Sequence, residues 1–283
     1  MTTPLLEVRD LSVEFAERGG GFGRARKLLK AVDSVSFELA QGETLGIVGE
    51  SGSGKSTLLR AILRLVPIAR GNVIFEGQDI TRLDERALRA PRRAMRIVFQ
   101  DPLASLDPRM NLGEIVAEPI VSLLPELGRD ATRARVEAAL ALVGLDAGAD
   151  PGLLNRYPHE FSGGQCQRIA IARAMAVEPK LILCDEPVSS LDVSIQAQIV
   201  NLLADLQRAR GVALLFVSHN LAVVRHISRR VMVMRAGRVV ELAERDALYA
   251  SPRHPYTRAL LDAVPVPDPK IERERLRAKA AAG

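Results

Sequence analysis

Thr44-Leu45-Gly46-Ile47-Val48-Gly49-Glu50-Ser51-Gly52-Ser53-Gly54-Lys55-Ser56-Thr57 is the stretch on which the reading of this chain turns. Thr44–Val48 is a short apolar run before a glycine-rich turn, as expected of a strand. After the turn, Leu58, Leu59, Ile62, Leu63 and Val66 recur at helical spacing, which predicts a helix over Lys55–Val66 that Pro67 stops. Between strand and helix the residues fit G-x-x-x-x-G-K-[ST], in the context that pattern requires. Glycines let the backbone wrap around phosphate oxygens without Cβ clashes. The N–H groups of this loop, with the helix N-terminus, then face an anion. Lys55 supplies a point charge to β- and γ-phosphates, and the Ser56 hydroxyl, followed by Thr57, is placed to ligate Mg²⁺. A Gly-Ser turn before a basic helix is the plainer alternative, and the correct flanks weigh against it.

Working outward, Leu5–Phe15 and Ala31–Leu39 alternate as strands do, and Glu17–Lys30, rich in Gly and Arg, reads as an exposed loop. Asn72–Phe75 and Arg96–Phe99 are further strand candidates. From about Asn111 to Ala176 strand signals give way to helical ones, clearest at Thr132–Val143 and Gln165–Ala176. Leu181–Cys184 and Val212–Val217 are fully apolar, as in strands covered on both faces. Helical patterns at Ser194–Arg208 and Leu221–Ile227 follow them. Such alternation predicts an α/β fold with a mainly parallel sheet, an N-terminal antiparallel β part and an inserted helical block. The charged tail Ile271–Lys279 reads as solvated.

Three more positions fit the phosphate chemistry. Leu181–Cys184 runs into Asp185, and an apolar strand ending in a carboxylate is how proteins with such loops hold Mg²⁺. Glu186 follows, and a second carboxylate there can polarise an attacking water. Without the first motif the pair reads as an acidic turn before Pro187. His219 lies just past Val212–Val217, at the C-terminal edge where ligands of parallel sheets bind, within reach of a γ-phosphate or the attacking water. Gln100 ends the Arg96–Phe99 strand, so its amide can reach Mg²⁺ or water. Read alone, each of the last two is equally a surface or capping residue.

Composition narrows the classes. The chain has 283 residues, 47% hydrophobic and 26% charged, with a net charge of +5, which is too weak a bias to argue for nucleic acid. Two Cys cannot build a disulfide scaffold, a four-thiolate zinc site or an iron–sulfur cluster. Met1–Asp10 lacks a basic start followed by an apolar run, so no signal peptide is expected. No apolar run approaches the roughly 18–20 residues of a spanning helix. The expectation is a cytosolic chain whose membrane role runs through partners.

Taken together, these motifs resemble those of the ATP-binding-cassette (ABC) transporter ATPases. Phe161-Ser162-Gly163-Gly164-Gln165 is similar to that family's signature, usually LSGGQ. The order also matches: the glycine-rich loop, Gln100, SGGQ, CDEP, Ser190-Leu191-Asp192 and His219. On its own residues Ser162 reads as the N-cap of a helix over Gln165–Ala176. The resemblance implies ATP and Mg²⁺ as ligands, with Ser56, Gln100 and Asp185 at the metal. It implies Glu186 as the catalytic carboxylate, His219 and Gln100 as sensors of the γ-phosphate, and Phe15 as the aromatic that stacks on adenine. It also implies that Ser162, Gly163, Gly164 and Gln165 serve the nucleotide of a second cassette, with Asp192 linking the two sites.

Gln100–Met110, Tyr157-Pro158-His159-Glu160 and His254–Leu261 followed by Ala263-Val264-Pro265 narrow the resemblance to the peptide/nickel importers. FSGGQCQR is similar to their F-type ATPase. Some relatives carry a C-terminal cysteine cluster. No Cys follows Cys184 here, so no iron–sulfur cluster is expected. The implied organisation is a nucleotide-binding core over 1–101 and 166–250, a helical insertion over 102–165 and a C-terminal extension over 251–283. The implied partners are two transmembrane permease subunits, a second ATPase subunit that makes a heterodimer rather than a homodimer, and an extracytoplasmic solute-binding protein. The implied location is the cytoplasmic face of the inner membrane. The motifs are shared by peptide, nickel, glutathione and opine importers. The alternative, a soluble cassette acting on nucleic acid or ribosomes, lacks the coiled-coil arms, zinc-binding cysteines or paired cassettes such proteins usually carry. A non-hydrolysing regulatory subunit would lack Glu186 or His219.

Overall fold

The computed structural model describes residues 3–16 and 28–263. In chain order its elements are β1 (Leu6–Ala16), β2 (Leu28–Leu39), β3 (Thr44–Val48), α1 (Lys55–Ile62), β4 (Arg70–Phe75), β5 (Gln78–Asp79), α2 (Arg89–Ala94) and β6 (Met95–Val98). Then come α3 (Pro102–Ser105), α4 (Leu112–Leu123), α5 (Arg129–Leu142), α6 (Gly163–Met175), β7 (Leu181–Asp185), α7 (Val193–Arg210), β8 (Ala213–Val217) and α8 (Leu221–Ile227). The hairpin β9 (Arg230–Arg235) and β10 (Arg238–Glu244) precedes α9 (Arg245–Ala250) and α10 (Pro255–Asp262).

The central sheet runs β10-β9-β3-β8-β7-β6, with every neighbouring pair parallel except the β9–β10 hairpin. A second, antiparallel sheet runs β2-β1-β4-β5. The apolar runs of β7 and β8 follow from burial on two faces. Ile182, Cys184, Leu214 and Phe216 join one core with α4–α8, while Leu183, Leu215 and Val217 join a second core with the antiparallel sheet and α1. Strand side chains alternate between faces, so a strand covered on both must be apolar throughout. Residues 99–180 contain helices and turns and no strand.

Two expectations need correction. The helix predicted to Val66 ends at Ile62. The Arg64 N–H donates to the Ala61 carbonyl and the Leu65 N–H to the Arg60 carbonyl, with Arg64 left-handed at φ 56°, which closes the helix in a Schellman turn three residues before Pro67. The loop predicted over Glu17–Lys30 is shorter, because Leu28–Lys30 pair with β1 as the start of β2, and Lys30 stands opposite Glu14. Its remainder, residues 17–27, lies outside the described residues, as do the charged tail and Val264-Pro265. The hairpin β9–β10 has no counterpart in the sequence reading. Ala236 (φ 47°) and Gly237 (φ 80°) make its two-residue loop in the left-handed conformations that suit strand twist.

Candidate nucleotide-binding site

Four neighbouring parallel strands end at one edge of the central sheet. β3 runs into Gly49, β8 into Ser218-His219, β7 ends in Asp185 with Glu186 beyond it, and β6 leads into Phe99-Gln100. Ile47 and Asp185 both stand opposite Val217, and Cys184 opposite Val98, so these ends lie level. Residues scattered from 49 to 219 are thereby gathered at the carboxyl edge where such sheets bind ligands.

The glycine-rich loop is packed from outside and open inward. A Cβ on Gly49 would stand 2.2 Å from the Met234 carbonyl oxygen, and one on Gly54 would stand 2.2 Å from that of Ala31. Both have positive φ, so these positions need glycine for space and for conformation. A Cβ on Gly52 would meet nothing within 4 Å. Lys55 is buried, and its Nζ donates to the carbonyls of Gly49 and Glu50, each at 2.8 Å. Burial holds the Lys55 pKa below the ordinary lysine value, against the carboxylates of Glu186 and Asp185. The Ser56 hydroxyl donates to Asp185 Oδ1 at 2.6 Å. Burial raises the Asp185 pKa, although the Ser56 hydrogen bond and Arg60 oppose it.

Glu186 takes a left-handed backbone (φ 50°), with its N–H donating to the Val217 carbonyl at 3.1 Å. That turn aims the side chain at His219, whose Nδ1 lies 3.0 Å from Glu186 Oε2. Gln100 is exposed and shares a cleft of about 400 Å³ with Ser56, Arg60 and Asp185. Its carbonyl accepts a hydrogen bond from the Ser190 hydroxyl at 3.3 Å.

Among the described residues no hydrogen bond joins the signature residues to Gly49–Thr57. Ser162 caps α6 with a full capping box: its Oγ accepts from the Gln165 N–H at 3.3 Å, and Gln165 Oε1 accepts from the Ser162 N–H at 2.9 Å. Gly164 packs so closely on α7 that a Cβ would stand 2.7 Å from Ile195 Cγ2, and one on Gly163 would stand 3.6 Å from Leu191. Ser162, Gly163 and Gln165 are exposed, and so is Asp192, which caps α7 with no side-chain bond to it. Phe15 is an exposed aromatic opposite Leu29, two residues before the Ala31 that touches Gly54. Sequence reasoning missed Tyr256 of α10, whose hydroxyl accepts the Glu50 N–H at 3.1 Å. The HPYT run was the available signal, but nothing local shows what the ring would reach.

The arrangement fits a phosphate chain and a hard cation. A glycine-lined loop at a helix N-terminus offers free N–H groups, and Lys55 Nζ rests on two carbonyls that a phosphate oxygen can replace. A hydroxyl–carboxylate pair beside it suits Mg²⁺, which takes one or two protein ligands and fills its shell with phosphates and water.

Comparison with known proteins shows the family. Residues 32–189 match the ABC transporter family, and residues 240–282 match the C-terminal region of oligopeptide/dipeptide transporters. The chain is 55% identical over 273 residues to the oligopeptide transport ATP-binding protein OppF of Escherichia coli K12, covering 96% of this chain and 80% of that one. It is 52% identical to OppF of Haemophilus influenzae, with 96% and 81% covered. The ATP-binding cassette MJ0796, solved as a dimer in a post-hydrolysis state with ADP and Pi, superposes with a TM-score of 0.73 at 28% identity over 84% of this chain and 98% of that one. CbiO1 from Clostridium perfringens, part of an ABC transporter complex, gives 0.74 at 27% identity, with 88% and 91% covered. The glycine-rich loop, the strand-end carboxylates and these likenesses over nearly the whole chain place the protein among the ATP-hydrolysing subunits of ABC transporters.

Proposed function

We propose that this chain hydrolyses ATP to power import of oligopeptides or dipeptides, as the names of its relatives suggest for them. It would work at the cytoplasmic face of the inner membrane with two permease subunits, a solute-binding protein and a second, non-identical cassette. Among the described residues no helix is long and apolar enough to cross a membrane. The insertion over residues 102–165 would carry the surface that docks on the permeases, the core over 1–101 and 166–250 the nucleotide, and 251–283 an extension.

In this reading the Gly49–Thr57 loop and Lys55 bind the β- and γ-phosphates, and Phe15 stacks on adenine. Ser56, Asp185 and Gln100 would hold Mg²⁺, which when bound neutralises charge developing on the phosphates. Glu186 takes the proton of the attacking water as it adds to the γ-phosphorus and ADP departs. His219, hydrogen-bonded to Glu186, orients that carboxylate and lies beside the γ-phosphate. Ser162, Gly163, Gly164 and Gln165 would cap the nucleotide of the second cassette, where a helix N-terminus favours anions, and Asp192 would bridge the two sites. The exposure of Ser162, Gly163 and Gln165, with no hydrogen bond to the chain's own loop among the described residues, supports that division.

The observation carrying the hydrolytic assignment is the 3.0 Å contact between Glu186 and His219 beside the Ser56–Asp185 pair. Glu186→Gln keeps the shape and removes the base. Turnover in the purified complex is expected to fall by about a hundredfold or more while ATP stays bound. Turnover at the wild-type rate would show that another group activates the water.

A further inference from the structure

The loop that wraps phosphate is held from behind by the C-terminal region. Tyr256 is buried, at 7% exposure, and its hydroxyl accepts the Glu50 N–H at 3.1 Å. Glu50 is also the residue whose carbonyl receives Lys55 Nζ at 2.8 Å and the Ser53 N–H at 3.2 Å. The Gly49–Glu50 peptide unit, whose carbonyl also accepts Lys55 Nζ at 2.8 Å, thus joins α10 to the phosphate-binding lysine. Burial keeps the Tyr256 hydroxyl above its ordinary pKa, so it remains a neutral hydroxyl at physiological pH.

Tyr256 itself is fixed from two sides. The Arg235 guanidinium lies over its ring, 4.8 Å from the centroid, a cation–π contact from the end of β9. The Glu241 carboxylate of β10 accepts the N–H groups of Arg253 and His254 at 2.9 and 3.0 Å, which anchors the start of α10. The same hairpin grips the loop independently, since the Gly237 N–H donates to the Ser53 carbonyl at 3.0 Å. The Glu50 N–H is therefore engaged away from any phosphate, and its bond is positional.

We propose that Tyr256 is a positioning residue for the nucleotide, and that α10 presets the Gly49–Thr57 loop through the Tyr256 hydroxyl. A loop held in its binding shape loses less conformational freedom when ATP arrives. This inference rests on the ATPase reading and goes beyond it by giving the C-terminal region a role at the phosphate site.

Tyr256→Phe keeps the ring under Arg235 and removes only the hydroxyl. In the full chain, the dissociation constant for a fluorescent ATP analogue with Mg²⁺ is expected to rise about two- to tenfold, the range of one neutral hydrogen bond. KM for ATP in the assembled complex should rise in parallel with kcat changing less, while the melting temperature of the nucleotide-free protein stays near wild type. Arg235→Gln, which leaves the hydroxyl but frees the ring, should weaken binding in the same direction by less. Wild-type affinity in Tyr256→Phe overturns the proposal. Failure of the wild-type chain to bind the analogue would instead overturn the ATPase reading.

Discussion

Asp185 stands at the end of a buried strand, 4% exposed, with the Ser56 hydroxyl on one oxygen and Glu186 next in the chain. Burial raises its pKa, so the folded state holds this proton more tightly than the unfolded chain does. The sign follows: its contribution to stability is fully present below the ordinary carboxylate value of 3.8 and is lost as pH rises through the folded value. Once ionised, the buried group destabilises the nucleotide-free protein. Asp185→Asn should therefore melt higher than wild type at pH 7 without Mg²⁺, the gap should close in acid, and ATPase activity should be lost. Thermal melts across pH check this, and a variant less stable at pH 7 would contradict it. Asp185 was legible as a site residue because an apolar run ended in a carboxylate. Its partner Ser56, 129 positions away, was legible only through its own motif.

At the scale of elements, Ser162 at the start of α6 has a local role as a cap and a proposed second one at the nucleotide of another cassette. Ser162 is the N-cap in a reciprocal box with Gln165, a local device visible in the sequence spacing. Removing it with Ser162→Ala should destabilise the isolated chain by about 1 kcal/mol in denaturant unfolding. Ser162→Asp retains a good cap yet places negative charge where the partner's phosphate would sit. It should melt near wild type and lower the ATPase rate of the assembled complex severalfold. If both variants lose activity only in proportion to stability, the residue is a cap alone. The hairpin β9–β10 escaped notice for a different reason. Val231–Met234 is an apolar run no more distinctive than a helix segment, and its strand character comes from pairing with β3.

For the molecule as a whole, the two cores on opposite faces of the central sheet leave Ser162, Gly163, Gln165 and Asp192 exposed, and with them outer positions of α3 and α4 such as Leu103 and Val121. Tagging the chain and extracting membranes in mild detergent should recover two multi-spanning proteins and a second cassette, identified by mass. Recovery only from the soluble fraction, with ribosomes or DNA, would overturn the transport reading and leave the ATPase intact. Under the proposed two-cassette arrangement, with Ser162 and Asp192 exposed, loss of the second cassette should reduce hydrolysis most.

The phosphate loop, the strand-end carboxylates, the signature cap and the parallel-sheet alternation were all determined by sequence, because each is a local pattern imposed by backbone conformation or by burial on two faces. What required the tertiary structure was contact between segments remote in the chain. Only folding sets His219 against Glu186, Gly164 against Ile195 and Tyr256 against Glu50, the last pair 206 positions apart. Spacing along a chain carries no information about such pairs. They are decided by strand order in the sheet and by which helix packs over which edge.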